Sequence, residues 1–163
     1  MTTIQEYLNE DKNTDHIYIE GNWYHSMLDG GELDLSTFPN VKKININGIH
    51  ITKPPVTKIT LKNLTKLEEL HLWYTEIKDL NFLNELPNPE KLKVLSIPSN
   101  NFNTSDLTIF ERFINLQELN ISNLSHYGEK NGTFNSFKGT LTPFLKGISK
   151  LNVERTLLSS SAK

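Results

Sequence analysis

At 163 residues, 36% of them hydrophobic and 22% charged, the chain is long enough for one domain with a substantial core. Its 17 basic and 19 acidic residues leave a net charge of −2, which excludes a global field that would draw in nucleic acid or an anionic membrane. It has no cysteine for a disulfide framework, and no apolar run approaches the roughly 18 residues of a bilayer span.

Residues 1–8 lack the basic and continuous apolar regions of a signal peptide and read as a short amphipathic helix. Thr2 or Thr3 can cap it, and Ile4, Tyr7 and Leu8 supply an i, i+3, i+4 face. Residues 1–15 are therefore expected to cap the first coil of a stacked domain, the competing reading being a frayed terminus. Five Asn-x-Ser/Thr sequons, at Asn63, Asn103, Asn120, Asn123 and Asn131, would suit a secreted glycoprotein, but in so Asn-rich a chain they arise by chance. A cytoplasmic location is the expectation.

His16-Ile-Tyr-Ile-Glu20 alternates and predicts a first strand. Gly21 to Gly31 is expected to loop, exposing Trp23 and Tyr24, after which Leu33, Leu35 and Phe38 re-enter the core. Pro39-Asn40 then turns the chain into a pattern that recurs. It runs Val41-Lys-Lys-Ile44-Asn-Ile46, then Leu67-Glu-Glu-Leu70-His-Leu72-Trp-Tyr-Thr75-Glu-Ile77, then Leu92-Lys-Val-Leu95-Ser-Ile97-Pro-Ser-Asn100-Asn-Phe102. Leu116-Gln-Glu-Leu119-Asn-Ile121 and Ile148-Ser-Lys-Leu151-Asn-Val153-Glu-Arg-Thr156 complete the series. The first positions are 26, 25, 24 and 32 residues apart. Apolar residues spaced three and then two apart suit a short strand entered by a turn, its two apolar side chains pointing inward. Thr75, Asn100 and Thr156 fall where the chain leaves the strand, placed to satisfy backbone groups buried between coils. Ile49 and Leu124 break that rule.

Between strands, Pro54 and Pro55 exclude a helix and predict an extended or 3₁₀ crossing with Ile59 and Leu61 inward. Asp79 or Asn81 can cap a short helix through Phe82, Leu83 and Leu86, which Pro87 and Pro89 end. Thr104 or Ser105 can cap another over residues 106–113 that buries Leu107, Phe110 and Phe113. The long fourth spacing is explained by a mobile insertion at 124–134, with Asn135 and Phe137 resuming the interrupted pattern. Residues 159–163 are expected to be a disordered tail. No amphipathic cap follows the last strand, so a longer parent protein and self-association through the uncapped C-terminal coil are both expectations.

With the repeats aligned, residues 16–158 resemble the leucine-rich repeat family, about five repeats preceded by a degenerate strand. The segments Gly31-Glu-Leu-Asp-Leu-Ser-Thr-Phe-Pro-Asn40 and Leu83-Asn-Glu-Leu-Pro-Asn-Pro-Glu-Lys-Leu92 are similar to intracellular fungal repeat proteins, some joined to protein-kinase domains. The resemblance implies an α/β fold: a right-handed solenoid of parallel strands, with short helices or 3₁₀ turns on its convex side. It also implies protein recognition on the concave face, and says little about which partner.

The positions flanking each inward pair build that face: Lys43, Asn45 and Asn47; Glu69, His71 and Trp73; Val94, Ser96 and Pro98; Glu118, Asn120 and Ser122; Lys150, Asn152 and Glu154. Trp73, with Tyr74 beside it, is an exposed aromatic among polar neighbours, the usual form of an interface anchor. The competing reading is that it packs on Pro98 for the fold alone. A non-enzymatic protein-binding module is therefore expected, with no cofactor, nucleic acid or membrane partner; a recognition segment of a larger signalling protein, such as a kinase, is the alternative. An enzyme would need a constellation. His16, His25, His50, His71 and His126 have no metal-ligand spacing, and Glu69 with His71 is the one pair that could act as acid and base.

Overall fold

Thr3 and Glu6 close a reciprocal capping box on the first helix, α1 (Ile4–Leu8), and Ile4 and Leu8 are buried. The computed structural model describes residues 3–20, 29–48, 52–100, 102–123 and 134–159. In chain order its strands are β1 (His16–Ile19), β2 (Asp29–Asp34), β3 (Lys43–Asn47), β4 (Thr52–Thr60), β5 (Glu69–Trp73) and β6 (Val94–Ser96). They continue with β7 (Ser105–Asp106), β8 (Glu118–Asn120), β9 (Ser136–Lys138), β10 (Lys150–Asn152) and β11 (Leu157–Ser159). Four 3₁₀ segments are interspersed: Asn81–Glu85, Pro89–Lys91, Leu107–Arg112 and Thr142–Gly147. The fold is α/β, built on mostly parallel sheets with few and short helices.

Six strands form the main sheet in the order β1-β3-β5-β6-β8-β10, every neighbour parallel. Parallel neighbours require the chain to cross back between them. The crossings carry β2 and β4, which pair with each other, and β7 and β9, which with β11, after β10, form a second parallel ladder. The period-two pattern decides which side chains go inward. Ile17, Ile44, Leu70, Leu95, Leu119 and Leu151 stand in one register row across the sheet, and all but Leu151 are buried. From the crossings, Leu33, Leu35, Phe38, Ile59, Phe110 and Phe137 join them in one apolar cluster. Phe110 and Phe137 meet at a ring-centroid distance of 5.9 Å. Each large residue so buried contributes roughly 1.5–3 kcal/mol before chain entropy is set against it.

Several local features differ from the sequence-based expectations. The loop expected over residues 21–31 ends early, because β2 begins at Asp29 and runs through Gly30 and Gly31. The pairing with β4 supplies the order that two glycines disfavour, and the register shifts on either side of Gly31. Of the two forms expected for the crossing that holds Pro54 and Pro55 it takes the extended one, a nine-residue strand, β4, which among the described residues has a single neighbour, the edge setting that tolerates proline. Both expected convex helices are 3₁₀. The cap of Leu107–Arg112 is Asp106, which accepts from the Thr108 N–H, rather than Thr104 or Ser105. Ser159 lies in β11 and not in a tail. The expectations for Trp23, Tyr24, Ile49, Leu124, residues 124–133 of the insertion and residues 160–163 fall outside the described residues.

The exits from the strands are held by buried amides. Asn100 is fully buried; its side-chain N–H donates to the Leu72 carbonyl at 2.7 Å. Asn135, also fully buried, donates to the Ile97 carbonyl and accepts from the Asn100 N–H at 3.1 Å, so it occupies the slot that Leu124 could not fill. Asn123 in turn accepts from the Asn135 N–H at 2.7 Å, and the Thr156 hydroxyl donates to the Ile121 carbonyl. Tyr74, Ser99 and Arg155 precede Thr75, Asn100 and Thr156, and all three adopt positive φ of 53–56°. The same bend thus recurs at three exits, although none of the three is glycine.

Candidate binding face of the six-stranded sheet

Because successive side chains of a strand point to opposite faces, the residues between the inward row line up on the other face in register rows. The first row reads His16, Lys43, Glu69, Val94, Glu118 and Lys150. Its charges pair across neighbouring strands: Lys43 to Glu69 at 2.7 Å and Lys150 to Glu118 at 3.0 Å. The second row reads Tyr18, Asn45, His71, Ser96, Asn120 and Asn152. In the third, Asn47 stands beside Trp73. Bonds from the Ser99 N–H to the Ser122 carbonyl and from the Asn123 N–H to the Glu154 carbonyl carry the alignment through Pro98, Ser122 and Glu154.

Trp73 is half-buried, and its indole N–H donates to the Ser96 hydroxyl on the next strand at 3.0 Å. That bond crosses from the third row to the second, so the ring leans over β6. Ser96 and Pro98 are buried, as is Ser122, whose hydroxyl and N–H both turn back onto the Asn120 side-chain oxygen. These three were expected to offer themselves to a partner. The spacing assigns them to the right face, but they are buried there, Ser96 under the Trp73 bond and Ser122 against Asn120. Lys43, Asn45, Asn47, Glu69, His71, Glu118, Asn120 and Asn152 are half-buried, and Glu154 and Lys150 are exposed. Tyr74 is half-buried at the strand exit with its positive φ, beyond the rows. Tyr18, 45% exposed, belongs to the same face, bonds to Glu20, and was not singled out in the sequence. Its alternation within His16-Ile-Tyr-Ile-Glu20 was the available signal.

Burial holds the His71 imidazole below its ordinary value; its hydrogen bond to the Glu69 carboxylate opposes this, and Lys43 works with it. The side chain is only 18% exposed, and the imidazole lies 3.4 Å from Glu69. A neutral ring at that distance makes a weak hydrogen bond and not an ion pair. Glu69 is held below the usual carboxylate range, first by its hydrogen bond to Lys43 and then by His71. The carboxylate therefore belongs mainly to Lys43. Ser96 stands beside His71 in register, but its hydroxyl takes the indole N–H of Trp73.

A hollow of about 640 Å³ lies away from these rows, where β5, β6 and β8 begin, lined among others by Glu68, Lys93 and Ile114. Its charges are partly spent on each other, with Lys93 2.6 Å from Glu68. Among the described residues, no group of three or more His, Asp or Glu side chains is placed to hold a metal ion. No described helix is long and apolar enough to cross a membrane. The chain matches no protein-family model, and neither the curated proteins nor the solved structures include a significant match to it.

Proposed function

We propose that this chain is a non-enzymatic protein-recognition module of leucine-rich repeat type, a right-handed solenoid that binds a protein partner on the outward face of its main sheet. One observation carries the reading: register rows of mostly polar side chains run across the parallel strands, with Trp73 in the third row on β5. The strand rise and the spacing of about 4.8 Å between strands fix the positions of these side chains before any partner arrives, which lowers the ordering cost of binding. Trp73 is further immobilised by its bond to Ser96. It offers a large, pre-oriented apolar surface within a rim of Asn45, Asn47, His71 and Asn120, the composition of an interface hot spot. The pairs Lys43–Glu69 and Glu118–Lys150 supply both signs of charge, favouring a mixed polypeptide surface over a polyanion.

The test uses the whole chain as bait from cell extract, beside Trp73→Ala and Lys58→Ala. Lys58 lies on β4, away from the rows. Proteins retained by wild type and Lys58→Ala should be lost with Trp73→Ala, weakened by roughly 2 kcal/mol or more, while Trp73→Ala costs only about 1 kcal/mol of stability. Equal retention by all three, with the fold destabilised by Trp73→Ala, would make Trp73 structural and remove the anchor of this reading.

A further inference from the structure

The two ends of the main sheet differ. At β1, Ile17 and Ile19 are fully buried in the cluster that includes Ile4 and Leu8 of α1. At β10 and β11, Leu151 and Leu158 are 39% and 47% exposed, although they stand in register with the buried Leu119 and Phe137. Among the described residues, β10 and β11 each pair with one neighbour only. Two core positions thus face outward beside two open strand edges, the arrangement that native sheets ordinarily cover.

The backbone of β10 says how it can be covered. The Lys150 N–H donates to the Gln117 carbonyl, and the Asn152 and Glu154 carbonyls accept from Ile121 and Asn123. Even-numbered residues therefore direct their groups to β8. The intervening residues, Leu151 and Val153, direct theirs to the other side, where the Val153 carbonyl accepts from the Thr156 N–H at 3.1 Å and the Leu151 groups and the Val153 N–H face the edge.

We propose that a second copy of this chain docks on this edge, the two copies related by a twofold axis through Asn152, so that β10 pairs antiparallel with β10 of the second copy. In that register Leu151 lies opposite Val153 of the second copy, so that the Val153 N–H of each copy donates to the Leu151 carbonyl of the other. Side chains directly opposite in an antiparallel pair share a face. Lys150 therefore meets Glu154 of the second copy, and by symmetry Glu154 meets Lys150 of the second copy. Both side chains are well exposed, at 74% and 70%, so their present ion pairs, Lys150 with Glu118 at 3.0 Å and Glu154 with Arg155 at 3.8 Å, are screened by solvent and can be exchanged for the new ones. The same axis sets the two β11 edges, with their exposed Leu158 residues, at one end-to-end junction. The self-complementary order Lys150-Leu151-Asn152-Val153-Glu154 favours a second copy over an unrelated partner, and the buried core at the β1 end favours a closed pair over a filament.

Sedimentation velocity over a dilution series of the full chain should show a monomer–dimer equilibrium. Lys150→Glu places like charges at both contacts and should weaken dimerisation by roughly tenfold, as should Glu154→Lys. Mixing the two variants restores opposite charges at both contacts, and a one-to-one heterodimer should form where neither variant dimerises alone. Both residues are on the surface, and unchanged thermal unfolding of each variant separates loss of association from loss of fold. A wild-type chain that stays monomeric throughout would overturn the proposal. So would a dimer indifferent to both substitutions, or open-ended growth that signals head-to-tail contact.

Discussion

The side-chain oxygen of Asn100 accepts from both the N–H and the hydroxyl of Thr75, at 2.8 Å each, across 25 residues of sequence. The same amide donates to the Leu72 carbonyl, so one buried side chain satisfies three groups of the preceding strand exit. Its own N–H is held by Asn135. Asn100 and Asn135 thus connect successive strand exits directly.

Asn100→Ala should accordingly be among the most damaging polar substitutions in this chain. It strands the Thr75 N–H and the Leu72 carbonyl in the interior, where each unmet group costs about 1–3 kcal/mol. Urea unfolding should show a loss of about 3 kcal/mol or more. Asn135→Ala should behave alike, because it frees the Ile97 carbonyl and the Asn100 N–H. A loss no larger than that of an exposed asparagine such as Asn84 would refute the buried-amide account.

Gly48 and Gly31 are both glycine for different reasons, which substitution to alanine can separate. A Cβ at Gly48 would lie 2.2 Å from the Tyr74 carbonyl oxygen, a backbone atom that can move only with its strand exit. Gly48→Ala should therefore cost about 1–3 kcal/mol through overpacking. Gly31 has open space around it but a φ of +81°, so Gly31→Ala should cost about 1 kcal/mol from backbone strain alone. Thermal shifts in the reverse order would mean that the close approach of Gly48 to Tyr74 is relieved at little cost.

What could be read in the sequence divides along a physical line. Leu70 and Leu72, or Leu95 and Ile97, announce their burial because period two and a fixed strand length determine which side they face. Asn100 and Thr75 were legible for the same reason: the exit from a strand leaves backbone groups that only short polar side chains can reach. The β2–β4 pair was not legible as a sheet, since Gly30, Gly31, Pro54 and Pro55 are disfavoured in strands and are held there by tertiary pairing. Nor was the burial of Ser96, which depends on the direction in which Trp73, 23 residues earlier, leans. Spacing assigns a face, whereas exposure on that face is decided by rotamers of residues on other strands.

A third prediction contrasts the interior with the surface. Leu95 lies in the row between Leu70 and Leu119 and is fully buried, so Leu95→Ala should lower stability by about 2–5 kcal/mol. Lys58, 2.9 Å from Glu32 with both side chains well exposed, makes a bond of similar quality on paper. Solvent screens it, and Lys58→Ala should leave stability nearly unchanged. Chemical denaturation of the two variants at one salt concentration measures both, and comparable losses would contradict the assignment of stability to the stacked apolar rows.

The last prediction concerns pH. His71 is held below its ordinary value by burial, with Lys43 reinforcing and Glu69 and Glu118 opposing. In the unfolded chain the ring titrates near the ordinary value of 6.5, so as pH falls through that value the unfolded state takes up a proton before the folded state does. Stability should therefore decline as pH drops below about 6.5, until the folded ring is protonated as well. Glu69 acts in a separate window. Its carboxyl is held low by Lys43, and the stability this supplies is present above the ordinary carboxylate value of 4.5 and lost only in more acidic solution. His71→Gln should flatten the first decline and leave the second, while Lys43→Gln should diminish the second. The measurement is the midpoint of urea unfolding as a function of pH for the three proteins. An unchanged slope between about pH 7 and pH 5 in His71→Gln would show that the imidazole is as well solvated in the folded chain as in the unfolded one.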